Sequence, residues 1–110
     1  MAKQTRERIV PGSGNVFADM GLPEAEDLDT KVRLGAALSH IVQKRGLTQA
    51  EVGAILGINQ PKVSALLNYK LEGFSIERLM RFLVALGHDV EISVKARPRS
   101  RSARIAVKAA

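Results

Sequence analysis

The 110-residue chain contains no cysteine and no tryptophan. Without cysteine there is no disulfide frame, no thiolate metal site and no cysteine nucleophile. That usage suits a reducing compartment, and the expected location is the cytoplasm. Aromatic residues are scarce: Phe17, Tyr69, Phe74 and Phe82 are all there are. The core must therefore be aliphatic. No apolar run approaches the roughly 20 residues that a membrane-spanning helix needs. The first residues also lack the apolar centre of a signal peptide. Histidine occurs only as His40 and His88. Ser39 and His40 are adjacent, and adjacent residues on a helix point in different directions, so they do not form a nucleophile and its base. No HExxH, P-loop or GxGxxG segment is present. The expectation is a protein that is not an enzyme, with no catalytic residues, no metal site, no cofactor and no membrane partner.

What the chain has instead is basic charge. It carries 17 Lys and Arg against 11 Asp and Glu, a formal net charge of +6. The charge is unevenly placed. Residues 1–30 hold three basic and six acidic side chains, and residues 31–110 hold fourteen basic and five acidic. A basic body suits a polyanionic partner. The basic residues surround a folded motif and fill a tail, and no long basic amphipathic helix appears. Nucleic acid is thereby favoured over an anionic membrane. The length fits one domain with a small core, some of whose stability can come from a partner chain.

The densest pattern lies between Leu47 and Tyr69. Thr48 precedes an apolar-periodic run and Glu51 follows three residues later, which is a capping box. Leu47 and Val52 flank that cap as a hydrophobic staple. The spacing predicts a helix to about Leu56. Gly57 then stands where a left-handed backbone is needed. Asn59 reads as the next cap, with Ile58 and Val63 as its staple. Pro61 falls in the first turn, where its missing N–H breaks no helical bond, and the helix should run to about Asn68. Val52, Leu56, Ile58, Val63 and Leu66 place one helix across the other with a very short turn. A mid-helix glycine costs about 1 kcal/mol against alanine, so Gly53 marks a close crossing. With Gln49, Gly53, Gly57 and that apolar set, the stretch resembles the helix-turn-helix of the lambda-repressor and Cro class, the XRE family. Alanine is the usual small residue at the position of Gly53.

Around this motif the chain reads as follows. Residues 1–22 form a partly irregular lead-in, broken by Pro11-Gly12-Ser13-Gly14 and containing Val16, Phe17, Met20 and Leu22. Pro23 opens a helix expected to reach Arg45. Glu24, Glu26 and Asp27 complement its start, and Lys44 and Arg45 its end. Ala25, Leu28, Val32, Leu34, Leu38, Ile41 and Val42 make its buried stripe, and Gly46 stops it. Tyr69, Leu71 and Phe74 are expected to close the core. Ser75 caps a last helix to Leu86, with Ile76, Leu79, Met80, Leu83 and Leu86 inward and Gly87 beyond. From His88 the period becomes two: Val90, Ile92 and Val94 alternate with polar residues, the pattern of a half-buried strand. Residues 97–110 read as a disordered basic tail. The expected fold is mainly α: about four helices plus a carboxy-terminal β-strand, with residues 23–96 as the DNA-binding domain.

Helix-turn-helix proteins lay the second helix in the major groove, its first residues at base edges. Those residues are Asn59, Gln60, Lys62, Val63 and Ser64. Gln60 can pair with adenine N6 and N7 in bidentate fashion. Lys62 can reach a guanine acceptor or a phosphate, and Ser64 a base or a phosphate. Gln49, with nearby backbone N–H groups, can hold a phosphate. The family resemblance implies the same roles for Gln49 and Gln60. Arg97, Arg99, Arg101 and Arg104 are placed to reach phosphates or a minor groove as a basic arm. The strand lacks a partner within the chain, so Val90, Ile92 and Val94 are expected to pair with their own copies across a two-fold axis. That homodimer would set the two recognition helices about 34 Å apart on a palindromic operator in duplex DNA.

A closer resemblance covers most of the chain. The lead-in from Ser13 to Glu26, Leu47-Thr48-Gln49-Ala50-Glu51, Asn59 to Leu67 and Phe74 to Leu83 look like HigA-type antitoxins with a helix-turn-helix. This resemblance implies a repressor of its own operon, at work on nucleoid DNA, that neutralises a RelE/HigB-like ribonuclease toxin. Solitary helix-turn-helix regulators without a toxin share the same motifs. The acidic first third, with Val16, Phe17, Met20 and Leu22, suits a small basic toxin as a partner.

Overall fold

A computed structural model describes residues 22–109. The lead-in, with Val16, Phe17 and Met20, lies outside the described residues. Four helices follow in order: α1 (Leu22–Arg45), α2 (Gln49–Leu56), α3 (Gln60–Leu67) and α4 (Ile76–Ala85).

The 24 residues of α1 are the frame on which the other helices pack. Leu34, Leu38, Ile41 and Val42 of its second half are buried. They meet Val52 of α2, Val63 and Leu66 of α3, Leu79, Phe82 and Leu83 of α4, and Leu86 just beyond it. Leu71 and Phe74, in the connection before α4, complete the core as expected, whereas Tyr69 is 44% exposed.

The first half of α1 departs from the expected stripe. Leu28 is 52% and Val32 39% exposed, and Ala25 is exposed as well. The reason is length. At 1.5 Å per residue α1 spans about 36 Å, and the three short helices only about 12–15 Å each. They cover the second half of α1, and in the first half Thr30 is buried while Leu28 and Val32 stay exposed. Along that half Asp27 pairs with Lys31 at 3.4 Å and Asp29 with Arg33 at 2.9 Å.

Helix α4 is set by two aromatic rings. Phe74 and Phe82 meet edge to face, with centroids 5.9 Å apart. The Arg78 guanidinium lies 5.7 Å from one ring and 5.6 Å from the other. The inward face has turned towards Phe82, so that Leu79, Phe82, Leu83 and Leu86 are buried and Ile76 and Met80 only half so. Arg45 Nη1 donates to the Leu86 carbonyl at 2.9 Å and ties the ends of α1 and α4 together.

The expected carboxy-terminal strand is not present among the described residues. Residues 88–98 run without helix or strand. A strand exists only where its backbone bonds to a neighbour, and among the described residues the backbone of Val90, Ile92 and Val94 makes no such bond. Val90 is half-buried against the core, while Ile92 is 77% and Val94 93% exposed. The chain then turns near Pro98–Arg101, where Arg97 Nη1 donates to the Arg101 carbonyl at 3.0 Å. Farther on, the Ile105 N–H donates to Glu26 Oε2 at 3.1 Å, and Val107 packs against the core.

Candidate nucleic-acid interface

Three residues, Gly57, Ile58 and Asn59, separate α2 from α3. The geometry of that turn follows from its caps. The Glu51 N–H donates to Thr48 Oγ1 at 3.1 Å, and the Thr48 N–H donates to Glu51 Oε1 at 2.8 Å, which closes the capping box. Gly57 ends α2 with φ +70° and donates its N–H to the Gly53 carbonyl at 2.8 Å. The Ile58 N–H donates to the same carbonyl at 3.1 Å. The chain thus folds back tightly over Gly53. A Cβ there would stand 2.9 Å from the Ile58 carbonyl oxygen and 3.5 Å from Val63 Cγ2. The close approach inferred from the glycine is therefore made chiefly by the turn, with α3 behind it. Asn59 Oδ1 accepts the Lys62 N–H at 3.0 Å and starts α3.

This arrangement separates the candidate residues. Gln49, Asn59, Gln60 and Lys62 are all exposed. Gln60 and Lys62 stand in the first turn of α3, and Gln49 opens α2. The described ion pairs lie on α1 and α4 and do not involve Lys62. Asn59 is exposed, but its side-chain oxygen is engaged in the cap. Val63 is a correction. It is 0% exposed, and its side chain belongs to the core. A residue cannot anchor α3 against α2 and also reach a base edge, so the staple reading of Val63 stands and the base-contact reading does not. Ser64 is half-buried and accepts Asn68 Nδ2 at its carbonyl, 2.8 Å away.

The end of α3 adds a residue that sequence reasoning missed. The Lys70 N–H donates to the Ala65 carbonyl at 2.9 Å and the Tyr69 N–H to the Leu66 carbonyl at 3.2 Å. This bonding closes a helix end with a left-handed residue. Here that residue is Tyr69, with φ +60°, an uncommon conformation for a bulky side chain. Its ring lies beside Gly35 of α1, where a Cβ would be 3.5 Å from the ring and 3.4 Å from Leu71 Cδ1. The corner sends Lys70 back towards the start of α3. Lys70 joins Asn59, Lys62 and Phe74 in lining an open cleft. Two exposed lysines at one cleft suit a phosphate. No spacing rule points to Lys70, because a turn that reverses direction brings it to Lys62.

Among the described residues no group of His, Asp or Glu side chains is arranged to hold a metal ion. His40 is exposed, and His88 Nδ1 lies 3.2 Å from the Leu86 carbonyl. Among the described residues no helix is long and apolar enough to cross a membrane.

A family model described as a helix-turn-helix domain matches residues 16–95. A solved structure described as an XRE family transcriptional regulator is 60% identical to this chain. It aligns over 80% of this chain and 100% of its own length, with a TM-score of 0.77. No curated protein matches the chain.

Proposed function

The chain belongs to the XRE family of helix-turn-helix transcriptional regulators, and on that footing we propose that it is a sequence-specific DNA-binding repressor. The observation that carries this reading is the first turn of α3. The Asn59 cap and the buried Val63 hold it from behind, while Gln60 and Lys62 stand exposed in front. With α3 in the major groove, Gln60 reads adenine, and Lys62 takes a guanine acceptor or a phosphate. Gln49 and the N–H groups at the start of α2 hold the phosphate backbone. Ser64 contributes at most a peripheral contact. Gln60→Ala loses roughly 1–3 kcal/mol on the operator and little on random duplex. The operator is obtained by selection from random sequence. Equal weakening on both duplexes would show that Gln60 does not read a base.

The repressor acts as a homodimer on a palindromic site. Exposed Ile92 and Val94, with Val84 of α4 at 59% exposure, support this reading; Val90 faces its own chain and contributes less. Sedimentation is expected to give a dimer for the wild type and a monomer for Ile92→Lys. A wild-type monomer that binds its operator tightly would remove the dimer.

The chain is also proposed as the antitoxin of a toxin–antitoxin operon that neutralises a small basic ribonuclease of the RelE/HigB kind. The first half of α1 supports this, with Asp27, Asp29, Leu28 and Val32 all exposed on it. Co-expression with the neighbouring reading frames tests it. Failure of any small basic protein to co-purify leaves a solitary regulator.

A further inference from the structure

The carboxy-terminal segment carries Arg97, Arg99, Arg101, Arg104 and Lys108, yet its last described residues lie on the protein. The Ile105 N–H reaches Glu26 Oε2 at 3.1 Å, across 79 positions of sequence. Val107 is half-buried against the core. Glu26 differs from its neighbours on α1. Asp27 and Asp29 are paired within the helix, to Lys31 and Arg33, whereas Glu26 spends its carboxylate on this segment. The bond is donated by a backbone N–H, and around it the start of α1 is acidic while the segment is basic. Both anchors are slight: one hydrogen bond at the surface and one valine. So light a contact is open to a stronger competitor. Duplex DNA is one, with a negative charge about every 1.7 Å of its axis.

We propose that residues 102–109 form a displaceable strap. In the free protein they lie on the acidic part of α1, and when duplex DNA occupies the α3 face they leave α1 for the phosphate backbone. The inference rests on the DNA reading above. Docking on α1 keeps the part of the segment that carries Arg104 and Lys108 beside Glu26, so α1 and DNA compete for it. Its release also uncovers the surface of α1 around Glu26.

The experiment uses the full chain with Ala109→Cys, which introduces a single cysteine for a nitroxide label. Amide spectra are recorded without DNA, and then with a random duplex at low salt. Amides of residues 26–30 are expected to be broadened in the free protein. They are expected to recover as the α3 amides shift on binding. No broadening in the free protein overturns the strap, as does broadening that persists while α3 shifts. A duplex that shifts no α3 amide overturns the DNA reading itself, and displacement by DNA with it. Glu26→Arg in the labelled chain is expected to abolish the broadening without DNA and to raise affinity for random duplex several-fold. Unchanged broadening in that variant shows that attraction to Glu26 does not hold the segment, and overturns the proposal.

Discussion

Between Gly46 and Gly87 each helix starts on a side-chain cap. Thr48, Asn59 and Ser75 accept the N–H groups of Glu51, Lys62 and Arg78 at 3.0–3.1 Å. Beyond Gly87 the described residues make no regular element, and past the His88 N–H, which still bonds to the Leu83 carbonyl, they hold to the body through Val90, Val107 and the Ile105 N–H. The first region is fixed by bonds closed within a few residues and sealed by a common core. The second is placed by single contacts at long sequence separation. Function divides along the same line. Reading bases requires side chains fixed in advance, so Gln60 and Lys62 sit on the capped region. A basic segment that exchanges partners requires weak anchorage, and the second region has it.

This contrast predicts a graded set of responses to substitution. Leu79 is 0% exposed at the centre of the core. Leu79→Ala is expected to lose about 2–5 kcal/mol in urea titration, a large part of the stability of a small domain. Gly57→Ala follows at about 1–2 kcal/mol, the cost of a left-handed backbone for a residue with a Cβ. A Cβ at Gly57 would meet nothing within 4 Å, so that cost is conformational and not steric. Gly73→Ala is the control, because its site is also open and no positive φ is involved; its midpoint is expected to stay close to wild type. Thr48→Ala removes one half of the capping box and is expected to lose about 1 kcal/mol. Val107→Ala is expected to lose at most about 1 kcal/mol, since only half a small side chain leaves an apolar contact. A loss at Val107 as large as that at Leu79 would break the comparison and make the carboxy-terminal segment part of the core.

What could be read in the sequence follows the range of the interactions. Thr48 with Glu51, Asn59 before Pro61 and Ser75 before α4 are signals spanning three or four residues, and each forms the cap its sequence predicts. Gly53 disclosed a close approach because a helix tolerates glycine only for a reason. Leu28 and Val32 misled because their period is right for burial, while what covers them depends on the lengths of three other helices. The position of Val63 suits both a staple and a base contact, and its burial in one core with Val52 and Leu66 favours the staple. Phe82 was missed because Ile76 and Met80 offered an equally regular stripe, and the Phe74 ring turned the helix towards Phe82. Lys70 and the contact of Ile105 with Glu26 have no local signature at all. The alternation of Val90, Ile92 and Val94 is genuine, but alternation specifies a face and does not supply a neighbouring backbone.

The left-handed Tyr69 beside Gly35 leaves more room than the sequence uses. A methyl group at position 35 would meet the Tyr69 ring and Leu71 at 3.4–3.5 Å, an ordinary van der Waals contact, and within a helix alanine is favoured over glycine by about 1 kcal/mol. Glycine at position 69 would relieve the left-handed backbone while leaving a furrow on α1. The corner therefore tolerates a small side chain on the helix, and its own backbone is the part that a substitution could relax.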